Sequence, residues 1–206
     1  MNTSISIYDD IFSDVTKEKL NYLYAFFKQC NSNWQFDFIS KEEVLLKASD
    51  IHTQYVKDLI LDLNKYLVND LNEDRVVGYE AWINTMPFDS KGLEYHHDCD
   101  EGSKELVTPL RSMVVYSGPK TGITGGSLAL DYNGKADKNK EFKSSYNILD
   151  DLENGWIQIP FEYGRMVSFD PKIPHAVLPI KRIEKNEARI TLTIAVWDKT
   201  PTITKW

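Results

Sequence analysis

The sequence is short of several things at once. It has two cysteines in 206 residues, Cys30 and Cys99, which form no CxxC pair and no zinc-ligand spacing, so a disulfide scaffold and a structural zinc module are excluded. Positive charge is in deficit, 24 Lys and Arg against 31 Asp and Glu, for a formal net charge of −7. Binding a phosphate backbone needs clustered Lys and Arg, so no nucleic-acid partner is expected. No apolar run is long enough to span a bilayer, so no membrane partner is expected either. Residues 1–12 carry two aspartates and no basic residue ahead of an apolar stretch, which is not the pattern of a secretory signal. A cytoplasmic protein is the expectation; the oligomeric state is left open. There is no internal repeat.

What remains is an ordinary globular composition, 42% hydrophobic and 27% charged, at a length that buries a sizeable core in one domain, residues 1–206. The first 74 residues read as a helical flank. Asp14 is a candidate N-cap for a helix carrying Leu20, Leu23, Tyr24, Phe26 and Phe27 on one face. A second amphipathic helix begins near Ser49–Asp50 and runs to about Leu71, with Ile51, Tyr55, Leu59, Leu63, Tyr66 and Leu67 at i+3 and i+4 steps. His52, in its first turn, reads as a surface residue without a partner.

From residue 75 to 198 the period changes. β-branched and aromatic runs at 75–84, 110–116, 126–132, 155–159, 165–169, 175–178 and 188–197, together with the segment around Tyr95, are separated by Gly, Pro and Asn. About eight short strands following two helices predict a mainly β fold, a jelly roll or barrel with the helices packed on one sheet. Residues 135–154 are polar and long; they read as a solvated loop or as a lid over a site.

The chemistry centres on His96 and Asp98. If their segment is a strand, positions i and i+2 face one side, and His97 faces the other layer. With four His and 18 Asp, a chance His-x-Asp is expected about one time in three, so the pair alone decides nothing. Its company matters more. His175 follows a proline-rich turn, and two histidines with one carboxylate form a facial triad suited to non-haem Fe(II). In the last strand, Ile190, Leu192, Ile194 and Val196 form one face, and Arg189, Thr191 and Thr193 the other. An inward arginine matches a carboxylate in bidentate fashion. The bland alternative is a surface or ion-paired arginine, with Glu184 and Glu187 as partners. Arg182, in a polar hairpin, competes for the anion-binding role.

His96-x-Asp98, then Gly125-Gly126-x-Leu128, then Gly164-Arg165-x-Val167-x-Phe169-Asp170 leading to His175, then Arg189-x-Thr191, resembles the 2-oxoglutarate/Fe(II)-dependent oxygenase superfamily, and within it the small prolyl-hydroxylase-like branch. The resemblance spans roughly residues 79–197. It implies a double-stranded β-helix, Fe(II) held by His96, Asp98 and His175, and the distal carboxylate of 2-oxoglutarate held by Arg189 with Thr191. A further cosubstrate contact is assigned to Tyr116 or Asn84, and substrate contacts to Trp82 or Glu80. O₂ is the oxidant, and ascorbate is admitted as an auxiliary. The activity implied is hydroxylation of a C–H bond in a peptidyl proline, free amino acid or small metabolite, with succinate and CO₂ released. Two other readings stand beside it: a cupin-like metalloenzyme that does not use 2-oxoglutarate, and a non-catalytic jelly-roll binding module. A nucleic-acid demethylase is weaker, because Ala195 stands where that branch calls for another arginine.

Overall fold

The computed structural model describes residues 5–68, 71–131 and 156–202; the expected loop or lid at 135–154 lies outside them. Two 17-residue helices, α1 (Asp14–Cys30) and α2 (Ile51–Leu67), precede most of the strands. Helix α1 is capped by Ser13 rather than Asp14: the Ser13 hydroxyl accepts from the Thr16 amide at 3.1 Å, and Asp14 occupies the first helical position. The helix stops where Asn31 turns left-handed (φ 46°) and its N–H bonds the Phe27 carbonyl at 3.0 Å. Asp50 caps α2 through the Thr53 amide at 2.9 Å, and that helix ends at Leu67, a turn earlier than the sequence suggests. His52 is no lone surface residue. Its ring packs on Phe26 (3.8 Å between centroids) and Tyr22 (5.7 Å), bridging the two helices.

The strands are β1 (Ile5–Tyr8), β2 (Trp34–Gln35), β3 (Ile39–Ser40), β4 (Gly78–Met86), β5 (Leu93–His96), β6 (Arg111–Gly118), β7 (Thr124–Gly125), β8 (Leu128–Asp131), β9 (Trp156–Ile159), β10 (Met166–Phe169), β11 (His175–Val177), β12 (Ile180–Arg182) and β13 (Arg189–Trp197). One sheet runs β1-β10-β6-β13-β4-β2, with β3 on the far end of β4; the other runs β5-β11-β8-β9; β7 and β12 pair separately. Numbered in chain order, the eight core strands alternate between the sheets as 1-8-3-6 and 2-7-4-5, which is the double-stranded β-helix.

Strands from the first 74 residues also join the larger sheet, so that segment is more than a helical flank. β1 adds to the edge strand β10. Arg165 secures it, bonding Asp9 through Nε at 2.7 Å and Nη2 at 3.1 Å and meeting Glu162 at 2.6 Å.

Strand β13 is central, flanked by β4 and β6, and buried along its whole length. Its even-numbered residues Ile190, Leu192, Ile194 and Val196 have no exposed surface and pack under α1 and α2 with Leu20, Phe27, Leu59 and Leu63. Each such side chain contributes roughly 1.5–3 kcal/mol, so this layer anchors the strand. The odd-numbered face turns toward the second sheet. Between the sheets lie Val114, Tyr116, Leu128, Leu130, Val167 and Phe169. Among the described residues, no helix is long and apolar enough to cross a membrane.

Candidate metal and cosubstrate centre

His96 ends β5 and His175 opens β11. The two strands pair antiparallel with these residues directly opposed, which sets the rings 4.3 Å apart between centroids. Each ring is oriented by its own backbone: His96 Nδ1 meets the Glu94 carbonyl at 2.7 Å, and His175 Nδ1 meets the Ile173 carbonyl at 3.1 Å. A proton on Nδ1 leaves the Nε2 lone pair free in both. Those Nε2 atoms lie 3.8 Å (His96) and 3.5 Å (His175) from Asp98 Oδ1, and one donor atom from each of the three residues falls within 4.8 Å of the others.

The electrostatics suit a cation. Burial alone raises the Asp98 carboxyl, but the His175 and His96 imidazoles hold it below the ordinary range. Burial alone lowers His175, and the Asp98 charge raises it. His96 is lowered, chiefly by burial and by His175. Among the described residues Asp98 Oδ2 is buried without a close hydrogen-bond partner, and the nearby Ser112 hydroxyl helps hold the carboxyl low. Donors about 2.1 Å from a metal and at right angles lie about 3 Å apart, so the observed gaps close with small shifts. Two imidazoles and one buried carboxylate fit a divalent metal with open positions.

His97 departs from the alternation argument. β5 ends at His96, the chain continues as coil, and His97 lines the same cleft as His96 and Asp98. Asp100 is buried and structural: its Oδ2 accepts from both the amide and the hydroxyl of Thr202, each at 2.8 Å, and its Oδ1 from the Gly102 amide at 3.1 Å.

Arg189 sits at the start of β13, opposite Met86, and is 1% exposed. Its Nε donates to the Gly126 carbonyl at 2.8 Å and Nη1 approaches Met86 Sδ at 3.6 Å; Nη2 has no partner. The guanidinium lies over the rings of Tyr116 (5.3 Å) and Phe161 (5.5 Å), and the buried Tyr116 hydroxyl faces it. Glu184 and Glu187 are not its partners; Glu187 bonds Tyr24 and Lys28 instead. Arg182 is exposed and does not compete. Gly126 (φ 66°) makes room for the arginine, since a Cβ there would lie 2.8 Å from Arg189 Cδ. A buried guanidinium whose Nη2 has no close partner among the described residues has the chemistry to receive an anion, and a carboxylate matches its fork. Thr191, next on this face, is buried between Asn84 and Tyr116 in register. Both centres border one intersheet cluster: His175 packs on Phe169 (4.8 Å), which shares that cluster with Tyr116.

Beside His96 and Asp98 opens a cleft of about 850 Å³. Glu80, Trp82 and Asn84, alternating along β4, line it as strand periodicity predicts, and Asn84 Nδ2 reaches Thr193 Oγ1 at 3.4 Å. Asn84 thus borders the cleft, whereas Tyr116 shares the Arg189 cradle. Burial pushes the Glu80 carboxyl up to about 7, helped by the Asp100 and Asp98 charges and opposed by the Trp197 indole N–H facing it. Trp34, Gln35 and Asp37, on or just after β2, complete one wall. No sequence signal marked these three, because only the pairing of β2 with β4 carries them there.

No family model matches the sequence, and no curated protein matches it. Solved structures do match in fold. A prolyl-4-hydroxylase from Pseudomonas putida is similar at 14% identity over 97% of this chain and 95% of that one, with a TM-score of 0.56. A Trichoplax adhaerens prolyl hydroxylase, in complex with a hypoxia inducible factor oxygen degradation domain peptide fragment, has 14% identity, 96% and 84% coverage, and a TM-score of 0.58. EvdO2 from Micromonospora carbonacea var. aurantiaca, complexed with 2-oxoglutarate, has 12% identity, 94% and 86% coverage, and a TM-score of 0.54. The fold of this chain is that of the 2-oxoglutarate/Fe(II) oxygenases.

Proposed function

We propose that residues 1–206 form a single 2-oxoglutarate- and Fe(II)-dependent oxygenase that hydroxylates a C–H bond in a peptide, amino acid or small metabolite. The observation that carries this is the coexistence, around one intersheet core, of a two-histidine, one-carboxylate donor set and a buried arginine with open donors. His96, Asp98 and His175 would hold the iron; Arg189, with Tyr116 and Thr191, would take the distal carboxylate of 2-oxoglutarate. Bound there, iron and cosubstrate would supply the oxidising chemistry that protein side chains lack, with O₂ as oxidant and succinate and CO₂ as coproducts. Ascorbate would serve only to keep the iron reduced.

The chain's own contribution is positioning and exclusion of water. Backbone carbonyls fix the two imidazole tautomers, the Asp100–Thr202 contact holds the loop that carries Asp98, and apolar packing shields the Arg189 cradle. A cupin-like enzyme without 2-oxoglutarate has no use for a buried arginine that meets no carboxylate among the described residues, which favours the oxygenase reading. Two free cysteines suit the cytoplasm. The test is succinate formation from 2-oxoglutarate in air. It is expected to require added Fe(II) and to be lost in His175→Ala; no succinate above the iron-free control overturns the reading.

A further inference from the structure

The cleft beside His96 and Asp98 is one-sided in charge. Its described lining includes the carboxylates of Asp37, Glu80, Asp100 and Glu101 besides Asp98, and no Lys or Arg. Asp98 belongs to the metal site, and Asp100 is taken up by Thr202 and Gly102. A divalent metal, Asp98, dianionic 2-oxoglutarate and Arg189 cancel one another in charge, so the loaded centre would not neutralise the others. Glu80 is the telling case. It is 8% exposed, lines the cleft, and has no cationic partner among the described residues; the one donor facing it is the Trp197 indole. To be ionised at this depth Glu80 needs a counter-charge, and a cation arriving from the cleft would supply it. Trp82 stands two residues along the same strand face, whereas Trp34, in register with Ile83, turns its ring toward Phe27 on the helix side. Indole faces beside carboxylates attract organic cations.

From this juxtaposition we infer that the substrate presents a positively charged group, an ammonium or guanidinium, which the cleft receives between Glu80 and the Trp82 ring. The inference rests on the oxygenase reading for which end of the cleft reacts, and names the class of substrate that reading leaves open. The same cation could come from a free amino acid or from a lysine or arginine within a peptide.

Binding is measured by calorimetry on the full chain loaded with Mn(II) and 2-oxoglutarate under nitrogen. The probes are matched pairs that differ only in charge: lysine against norleucine, arginine against citrulline, and a glycine-flanked lysine tripeptide against its norleucine counterpart. At least one charged member should bind tenfold or more tightly than its neutral partner, and the preference should fall to about twofold in Glu80→Gln. A preference confined to the tripeptide identifies a peptide as the source; one seen with free amino acids identifies a small molecule. Should Glu80→Gln lose Mn(II) binding through misfolding, Asp37→Asn/Glu101→Gln, both at exposed positions, must at least halve the preference. Equal binding within every pair, including no binding by either member, overturns the inference, as does a preference that both variants leave intact. Succinate release without any amine, scored on the same preparation, keeps the two failures apart: its loss counts against the oxygenase, while its survival with no charge preference counts against the cationic substrate alone.

Discussion

Replacing Arg189 by Met tests the anion cradle in both its empty and filled states. Among the described residues the guanidinium is a buried charge met by the Gly126 carbonyl, a thioether, two ring faces and the Tyr116 hydroxyl, with no carboxylate beside it. Burial accordingly lowers its pKa. Swapping buried ionic groups for apolar ones of similar volume is often stabilising by about 1–4 kcal/mol. Taking about 2 kcal/mol for Arg189→Met, and about 2–4 °C per kcal/mol at this chain length, the variant should melt roughly 4–8 °C above wild type. With Mn(II) present and 2-oxoglutarate at a hundred times its Kd, wild type should gain about 2.7 kcal/mol, or roughly 5–11 °C, and the variant almost nothing. 2-Oxobutyrate, which lacks the distal carboxylate, should shift wild type far less. Differential scanning calorimetry reads all of these. An Arg189→Met protein that melts below wild type yet responds equally to 2-oxoglutarate would refute the cradle.

Three further outcomes follow from the geometry. Gly126→Ala should abolish the 2-oxoglutarate shift with Mn(II) binding retained, read by calorimetry, because the added Cβ would meet Arg189 at 2.8 Å. His96→Ala and His175→Ala should each cut Mn(II) affinity at least a hundredfold by titration without unfolding the chain; unchanged affinity in both would remove the metal assignment. Glu80 predicts a pH dependence. Its folded pKa, about 7, stands above the ordinary 4.5, so its stabilising contribution is fully present below pH 4.5 and is lost as pH rises through 7. At order of magnitude the loss is about 3 kcal/mol, and metal-free Glu80→Gln should show a flatter urea-midpoint profile between pH 5 and 8 than wild type.

The parts of the molecule legible in the sequence are those where chemistry restricts the residue type. His96, Asp98 and His175 stand out because few side-chain types can hold a metal, and the fold brings the three together; Arg189 stands out because alternation along β13 leaves a charge on the face opposite Ile190 and Leu192. Local capping was legible only to within a residue, since Ser13 and Asp14 are both competent caps and tertiary geometry chooses. Strand alternation does not give the direction of His97, because a strand's period stops where its hydrogen bonds stop, and β5 ends one residue earlier. Strands β1, β2 and β3 were not seen at all. They are two to four residues long, and their order comes from the strands they join rather than from their own composition. The cleft wall they bring, Trp34 to Asp37, was hidden for the same reason.

The clasp between Asp100 and Thr202 joins residues 102 positions apart and sits just behind the carboxylate that faces the two imidazoles. It is made entirely of protein atoms, so the loop is already shaped before any ion arrives. Loading such a centre orders little new backbone. Most of the attraction between ion and ligands is therefore retained as affinity, and metal-free and metal-bound forms should be nearly superimposable around Asp98.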